Sequence, residues 1–456
     1  MKSNKKSMSI DMTHGPLFGK ILLFVLPLIA TNVMQMLFNT IDTIVVGRFA
    51  GYTSLAAVGS TAPIIMLFVS SFVAASVGVN VVIARYIGLG NCKKEISRSL
   101  HTAISVAIIG GLIMTALGIG LAKWLVVLSS VPEDIQAQAL VYLRIYFAGT
   151  VFTVVYNFSA AAMRAMGDTR RPLIFLMISG VINIVLNLFF VIVLHMDVAG
   201  VALATVISQA ASVVMILGCL MREQSEIHFS WKHLCLDKKR LADMAYIGIP
   251  SWLQAFLFSI SNVVIQGAIN SYDSIIVAGC SAGTSVENLL YLSMNAFAQA
   301  GQTFTGQNIG AGNMDRVKKV IRTCLLCTFV WGSIQSGLAV LFAHPLIGIF
   351  NSDPAVIEAG VFRLYTVASL YMLYGLDDVL MGGIRGCGVS IAPMIINLLC
   401  TCVARLVWIW ILDTSVVSVG WVYASYPITW VLLMVVLVPF WIHLRRKLAR
   451  QMQKTA

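Results

Sequence analysis

The sequence predicts an all-α integral membrane protein with twelve transmembrane helices in two parallel six-helix bundles, related by a pseudo-two-fold axis along the membrane normal. Three observations lead there. The 456 residues are 59% hydrophobic and only 11% charged, outside the mix of ordinary soluble domains. Apolar runs of about 20 residues, the length that crosses a bilayer, recur along the whole chain. The second half repeats the first at an offset of about 220 residues.

The runs lie near 18–47, 54–84, 99–123, 139–162, 172–194 and 198–220. After a polar stretch from Met221 to Arg240 they resume near 243–270, 275–305, 320–343, 358–383, 392–412 and 416–442. This divides the chain into an N-terminal lobe over 1–220, a cytoplasmic linker over 221–242 and a C-terminal lobe over 243–456 that ends in a basic tail. The first run is longer than a signal-peptide core and has no small-residue cleavage site, so it is expected to stay as a helix.

A net charge of +12 would suggest nucleic acid in a soluble protein. Here it is a topology signal, because Lys and Arg beside membrane spans stay in the cytoplasm. One side collects Lys2, Lys5, Lys6 and Lys20, then Arg85, Lys93, Lys94 and Arg98, then Arg164, Arg170 and Arg171, then Arg222, Lys232, Lys238, Lys239 and Arg240. It continues with Arg316, Lys318, Lys319, Arg322 and Arg385 and ends with Arg445, Arg446, Lys447, Arg450 and Lys454. The opposite loops carry Glu133, Asp134, Asp197, Asp273, Asp353 and Asp413. Both termini are therefore expected in the cytoplasm of a multi-pass protein of a bacterial-type inner (plasma) membrane, in contact with the lipid bilayer and not with nucleic acid. The nine cysteines fall inside apolar runs or on the cytoplasmic side and read as reduced.

In the repeat, Leu26-Pro27 meets Ile249-Pro250, Asn39 meets Asn262 and Gly59 meets Gly279. Ile87-Gly88-Leu89-Gly90-Asn91 meets Ile309-Gly310-Ala311-Gly312-Asn313, and Arg164-Ala-Met-Gly167 meets Arg385-Gly-Cys-Gly388. Six spans per copy is an even number, so the copies run the same way through the membrane, and a transporter of this kind binds substrate near the midplane. The Gly-x-Gly-Asn turns follow long helices rather than strands, which makes them helix ends rather than dinucleotide fingerprints. Pro27 and Pro250, at matched places in two helices, permit a bend, and gating and plain packing are equal readings of them.

Ionisable groups inside a span are costly and mark function. Those counted here are Asp42 in the first span, Glu287 in the eighth, Asp377 and Asp378 in the tenth and Arg405 in the eleventh. Gln35, Asn39 and Asp42 share one helix face by their i, i+4, i+7 spacing. Asn183 and Asn187, four apart, share a face of the fifth span, Thr205 lies in the sixth and Asn157 in the fourth. Desolvation penalises an isolated carboxylate, so Asp42 among these amides and hydroxyls is a candidate proton carrier. The second half has Ile265 opposite Asp42, which places coupling in the N-terminal half only. Glu287 and Arg405 lie at similar depth and are candidates for an ion pair. Asp377 and Asp378 point in different directions, and Asp378 is the one expected to face a cavity.

These residues resemble the multidrug and toxic compound extrusion family of transporters over nearly the whole chain. The resemblance rests on Asn39-Thr-Ile-Asp42-Thr-Ile-Val-Val-Gly47-Arg48, Met163-Arg164-Ala-Met-Gly167-Asp168-Thr169, Asn183-Ile-Val-Leu-Asn187, Gly200-Val-Ala-Leu-Ala-Thr205 and Gly306-Gln307-Asn308-Ile309-Gly310-Ala311-Gly312. It implies a monomeric antiporter that exports small, mostly cationic amphipathic compounds in exchange for protons or sodium, with no cofactor beyond the coupling ion. The family's cation site maps onto Asp42, Asn183, Asn187 and Thr205. Many relatives carry an aspartate where this chain has Asn187, and the missing charge favours protons over sodium. Substrate contacts are expected from Gln35, Asn39, Asn157, Tyr291 and Asp378, with Glu287 supplying negative charge for cationic substrates.

The nearest rival within transport is a flippase for lipid-linked precursors, from the same superfamily. It would want extra helices or a strongly cationic cavity, whereas one arginine at cavity depth here faces three or four acids. A membrane enzyme is disfavoured. The seven histidines sit in loops or near span ends and none has the zinc-protease spacing. His228, His233 and Cys235 in the linker read as an ordinary loop rather than a metal site, so no metal is expected.

Overall fold

The structure, a computed structural model, describes residues 9–90, 92–129, 131–223, 227–411 and 418–455. Lys2, Lys5, Lys6, Asn91 and Asp413 lie outside the described residues. Every element among the described residues is helical, the solution a bilayer imposes on a backbone that must satisfy its own hydrogen bonds. In chain order the spans are α1 Leu17–Val45, α2 Gly51–Leu89, α3 Lys93–Leu128, α4 Glu133–Ala148 continued by Thr150–Ala165, α5 Arg170–Val193 and α6 Asp197–Arg222. The second six are α7 Lys238–Ile269, α8 Ser274–Gly310, α9 Met314–Leu341, α10 Pro354–Gly386, α11 Ile391–Ile411 and α12 Val419–Gln453.

Two spans depart from straight helices. α1 and α2 follow each other in one run of 73 residues, which at about 1.5 Å per residue is far too long for a single crossing of a core about 30 Å thick. The break falls at Gly51, whose φ of +84° costs glycine little. α4, read from the sequence as one run over 139–162, is bent by 43° between Ala148 and Thr150. Val206 of α6 packs against the bend, where a Cβ on Gly149 would stand 2.5 Å from Val206 Cγ2.

The sequence repeat is written into the backbone. Gly90 and Gly312, matched by the repeat, have φ of +67° and +69°, and the matched Gly167 and Gly388 have +87° and +84°. A side chain would strain all four turns in the same way.

The chain forms two compact units whose boundaries differ from the repeat. Among the described residues, one is Ala30–Gly248 with Ser9 and Ile10, and the other is the residues from Ile249 onward with Asp11–Ile29. The first turns of α1 and α7 thus pack with the other half of the sequence. Phe24 on α1 meets Phe304 on α8 edge to face at 5.6 Å. Ahead of α1, the buried Met12 carbonyl accepts from Asn308 Nδ2 and Arg316 Nε, both at 3.1 Å. The linker behaves likewise in the first unit, where Arg240 joins Glu95 and Tyr86 and the backbone of α7 passes directly over Gly78. Pro27 and Pro250 sit within two residues of the points where α1 and α7 pass from one unit to the other.

Within the second unit, α8 and α10 run in contact along most of their length because glycines remove the side chains between them. A Cβ on Gly279 would lie 2.7 Å from Gly360 N, one on Gly382 2.5 Å from Ala298 O, and one on Gly386 2.5 Å from Gln302 O. Close approach of this kind is how membrane helices gain dispersion contacts without help from the hydrophobic effect. Gly382→Ala is expected to cost about 1–3 kcal/mol of overpacking, lowering the midpoint of thermal unfolding of the solubilised protein by a few degrees. Gly337→Ala on α9, whose Cβ meets nothing within 4 Å, is the control expected to leave it unchanged; equal shifts would sink the packing argument.

Candidate functional site

In the first unit the polar residues of α1, α5 and α6 join into one hydrogen-bonded chain. Asn187 Nδ2 donates to Asp42 Oδ1 and, at 3.3 Å, to Asn183 Oδ1. Asn183 Nδ2 donates to Thr205 Oγ1 at 3.4 Å, and Thr205 Oγ1 donates to Val201 O at 3.0 Å. Asn183 and Asn187 are buried while Asp42 is half-buried. Asn187 Oδ1 is enclosed and has no hydrogen-bond partner among the described residues. α1 and α5 meet closely here because Gly180 leaves its place to the Phe38 ring.

Helix geometry sharpens this site. A π-helical stretch, Val46–Ala50, begins four residues after Asp42, and another, Phe189–Val193, begins two residues after Asn187. Such insertions re-aim side chains and recur at functional sites. Tyr142 and Tyr146 of α4, which the sequence reading passed over, bring their rings within 6.4 Å of each other in the same unit. Of the other residues expected here, Gln35 and Asn39 are exposed on the face of α1 and make no side-chain hydrogen bond among the described residues. Asn157 Nδ2 donates to the Thr153 carbonyl at 2.8 Å.

The second unit holds two polar clusters. In the first, Asn295 Nδ2 donates to Asp378 Oδ2 at 2.9 Å and to Tyr291 OH at 3.1 Å, and Gln299 Nε2 donates to Asn295 Oδ1 at 2.8 Å. Tyr291, Asn295 and Gln299 form a stripe on α8 by i, i+4, i+8 spacing, the same helix periodicity that marked the stripe of Asp42. No ion pair holds Asp378 among the described residues. Its neighbour Asp377 is fully buried on another side of α10, and neither of its oxygens has a partner among the described residues.

The second cluster corrects one expectation. Glu287 pairs with Arg363 rather than with Arg405, through two bonds of 2.8 Å from Nε and Nη2 to its two oxygens. Arg363 lies five residues into the tenth apolar run, where an arginine usually reaches back to the interface, and so it was not counted among the groups at depth. It is 2% exposed, because Gly283 on α8 lets its stem pass and Tyr423 and Tyr426 cover the guanidinium at 5.1 and 5.3 Å. With both oxygens taken, Glu287 has no charge to offer a cationic substrate. Removing either partner would leave a buried charge uncompensated, a loss of about 3–5 kcal/mol. Arg405 instead donates Nε to Thr429 Oγ1 at 3.0 Å.

Among the described residues no group of three or more His, Cys, Asp and Glu side chains is arranged to hold a metal ion. Comparison with known proteins agrees with the repeat and with the helix count. The MatE family model matches residues 27–189 and again 250–411. The probable multidrug resistance protein YpnP of Bacillus subtilis is 29% identical over 410 residues, covering 87% of this chain and 88% of its own length. The probable multidrug resistance protein NorM of Thermotoga maritima is 28% identical over 393 residues, covering 84% and 82%. The solved outward-facing structure of a multidrug resistance MATE family transporter superposes with a TM-score of 0.89 at 21% identity, covering 98% of this chain and 100% of that one, which establishes the fold. The two MatE matches together take in well over half of the sequence, and the chain belongs to the multidrug and toxic compound extrusion family of membrane transporters.

Proposed function

We propose that this transporter acts as a monomeric antiporter, carrying small amphipathic compounds out of the cytoplasm in exchange for protons, with Asp42 as the proton carrier. The observation that carries the reading is the bonded chain Asp42–Asn187–Asn183–Thr205 with one enclosed acceptor, Asn187 Oδ1, left without a partner. An amide can serve both protonation states of a carboxyl group: Nδ2 donates to the carboxylate, and after the amide turns over Oδ1 accepts from the carboxylic acid. Asp42 can therefore keep a hydrogen bond to Asn187 in either protonation state. Sodium would want several oxygen ligands and more negative charge than the single carboxylate on this face supplies. Cationic amphiphiles are the first substrates to test, because Asp378 stands beside the Tyr291 and Tyr374 rings, 5.3 Å apart, a setting for charge and cation–π attraction together.

Efflux of ethidium from energised bacterial cells lacking their own pumps is expected to follow an imposed proton gradient and to ignore a sodium gradient. Asp42→Asn keeps the volume and the bond to Asn187 but has no proton to exchange, and is expected to reduce proton-driven efflux to the level of cells without the protein; undiminished efflux in that variant removes Asp42 from the mechanism. Asn187→Asp adds the second carboxylate and is expected to make efflux responsive to sodium. A variant that stays indifferent to sodium would show that the missing charge at this position does not decide ion choice.

A further inference from the structure

We propose that Arg405 is the centre of an anion-binding subsite in the second unit, one that takes the carboxylate of an aromatic acid. Arg405 is 1% exposed, yet among the described residues no carboxylate stands within ion-pair distance of it and only its Nε is hydrogen-bonded, to Thr429. The neighbouring acid, Glu287, is already closed on both oxygens by Arg363. A desolvated guanidinium with no counter-ion is costly, and an arginine that served packing alone would be expected to own an acid or a set of carbonyls. This one has aromatic rings instead.

Those rings make a wall with the guanidinium at its edge. The Arg405 carbon lies 4.4 Å from the Tyr426 ring centre and 6.0 Å from that of Phe258. Tyr426 continues to Trp430 at 6.3 Å, Trp430 stacks on Tyr374 at 5.7 Å, and Tyr374 stacks on Phe258 at 6.5 Å with planes 9° apart. Phe258, Tyr374 and Tyr426 are each only half-buried, so the wall has an accessible side. The terminal nitrogens of arginine form a planar fork that matches the two oxygens of a carboxylate, and the wall suits the ring attached to it. The π-helical stretch Leu398–Val403 ends two residues before Arg405, repeating the placement of such stretches beside the residues of the first unit. The inference widens the substrate range of the exporter proposed above and rests on that reading only in treating the bound acid as cargo.

The test is equilibrium binding, with no ion gradient, to the full chain in phosphatidylcholine nanodiscs. Titration calorimetry compares 1-naphthoate with 1-naphthylmethylammonium, the same ring with opposite charge. The wild type is expected to bind 1-naphthoate, Arg405→Gln to weaken that binding by roughly tenfold or more, and Arg405→Lys to fall between, since it keeps the charge and loses the fork. The ammonium compound should bind both variants as it binds the wild type. Equal loss for both ligands would mean that Arg405 acts through packing, and it would overturn the proposal, as would a wild type that does not bind 1-naphthoate. Should the Arg405 variants fail to fold, Phe258→Leu keeps the arginine and thins the wall; it is expected to weaken 1-naphthoate by about threefold or more, and unchanged affinity overturns the proposal equally. Because no transport is read, failure here and failure of proton-driven ethidium efflux are distinguishable.

Discussion

A charged side chain inside a bilayer must find its counter-charge within the protein, stay neutral, or serve a ligand. That constraint orders the interior of this transporter more than any apolar contact does, since lipid tails are as apolar as the leucines and valines they meet. Five of the groups at depth differ in what they have found. Glu287 and Arg363 have each other through two bonds. Asp42 and Asp378 have amide donors in place of a cation. Arg405 has one hydroxyl and a ring of aromatics. The glycines between α8 and α10 serve the same end, because the stem of Arg363 passes where Gly283 has no side chain.

The duplication makes the differences between halves informative. Turns that only fold the chain are kept in both copies, down to the positive φ of Gly90 and Gly312 and of Gly167 and Gly388. The polar interior is not kept. Ile265, opposite Asp42 in the repeat, is fully buried in an apolar cluster of the second unit, while Arg405 falls opposite Val185. The two copies have thus diverged inside a shared scaffold, with a carboxyl and amide chain in one unit and a guanidinium and aromatic cluster in the other.

Much of this was legible in the sequence wherever the signal is local. The run lengths mark the spans, and the i, i+4, i+7 spacing of Gln35, Asn39 and Asp42 places them on one face. What periodicity could not supply is which residue of another helix a polar group meets. Glu287 took Arg363 in preference to Arg405 because Gly283 opens a path between α8 and α10, a fact of packing with no trace in either run. Gln35 and Asn39 share the face of Asp42 but not its bonds, since the amides of α5 reach only the last of the three. The unit boundaries were hidden for a related reason: the contact of Phe24 with Phe304 and the grip of Asn308 and Arg316 on Met12 join residues distant in sequence, and a repeat aligns like with like without showing where the first turns of a helix dock.

Those exchanged first turns bear on exchange itself. For a proton and a substrate to be antiported, each must bias the same conformational equilibrium, and a ligand shifts an equilibrium only through its differential affinity for the two states. A carboxyl group held entirely within one rigid body would titrate without moving anything. α1 is not such an element. It carries Asp42 in the unit of Ala30–Gly248, and its first turns, with Phe24, belong to the unit of Asp11–Ile29 and the residues from Ile249 onward. Pro27 lies at the crossing and weakens the helix against bending there. In the mechanism proposed above, a change in how Asn187 holds Asp42 acts on a helix whose two ends belong to different units, whereas α7, crossing in the reverse sense at Pro250, has the apolar Ile265 at the place of Asp42.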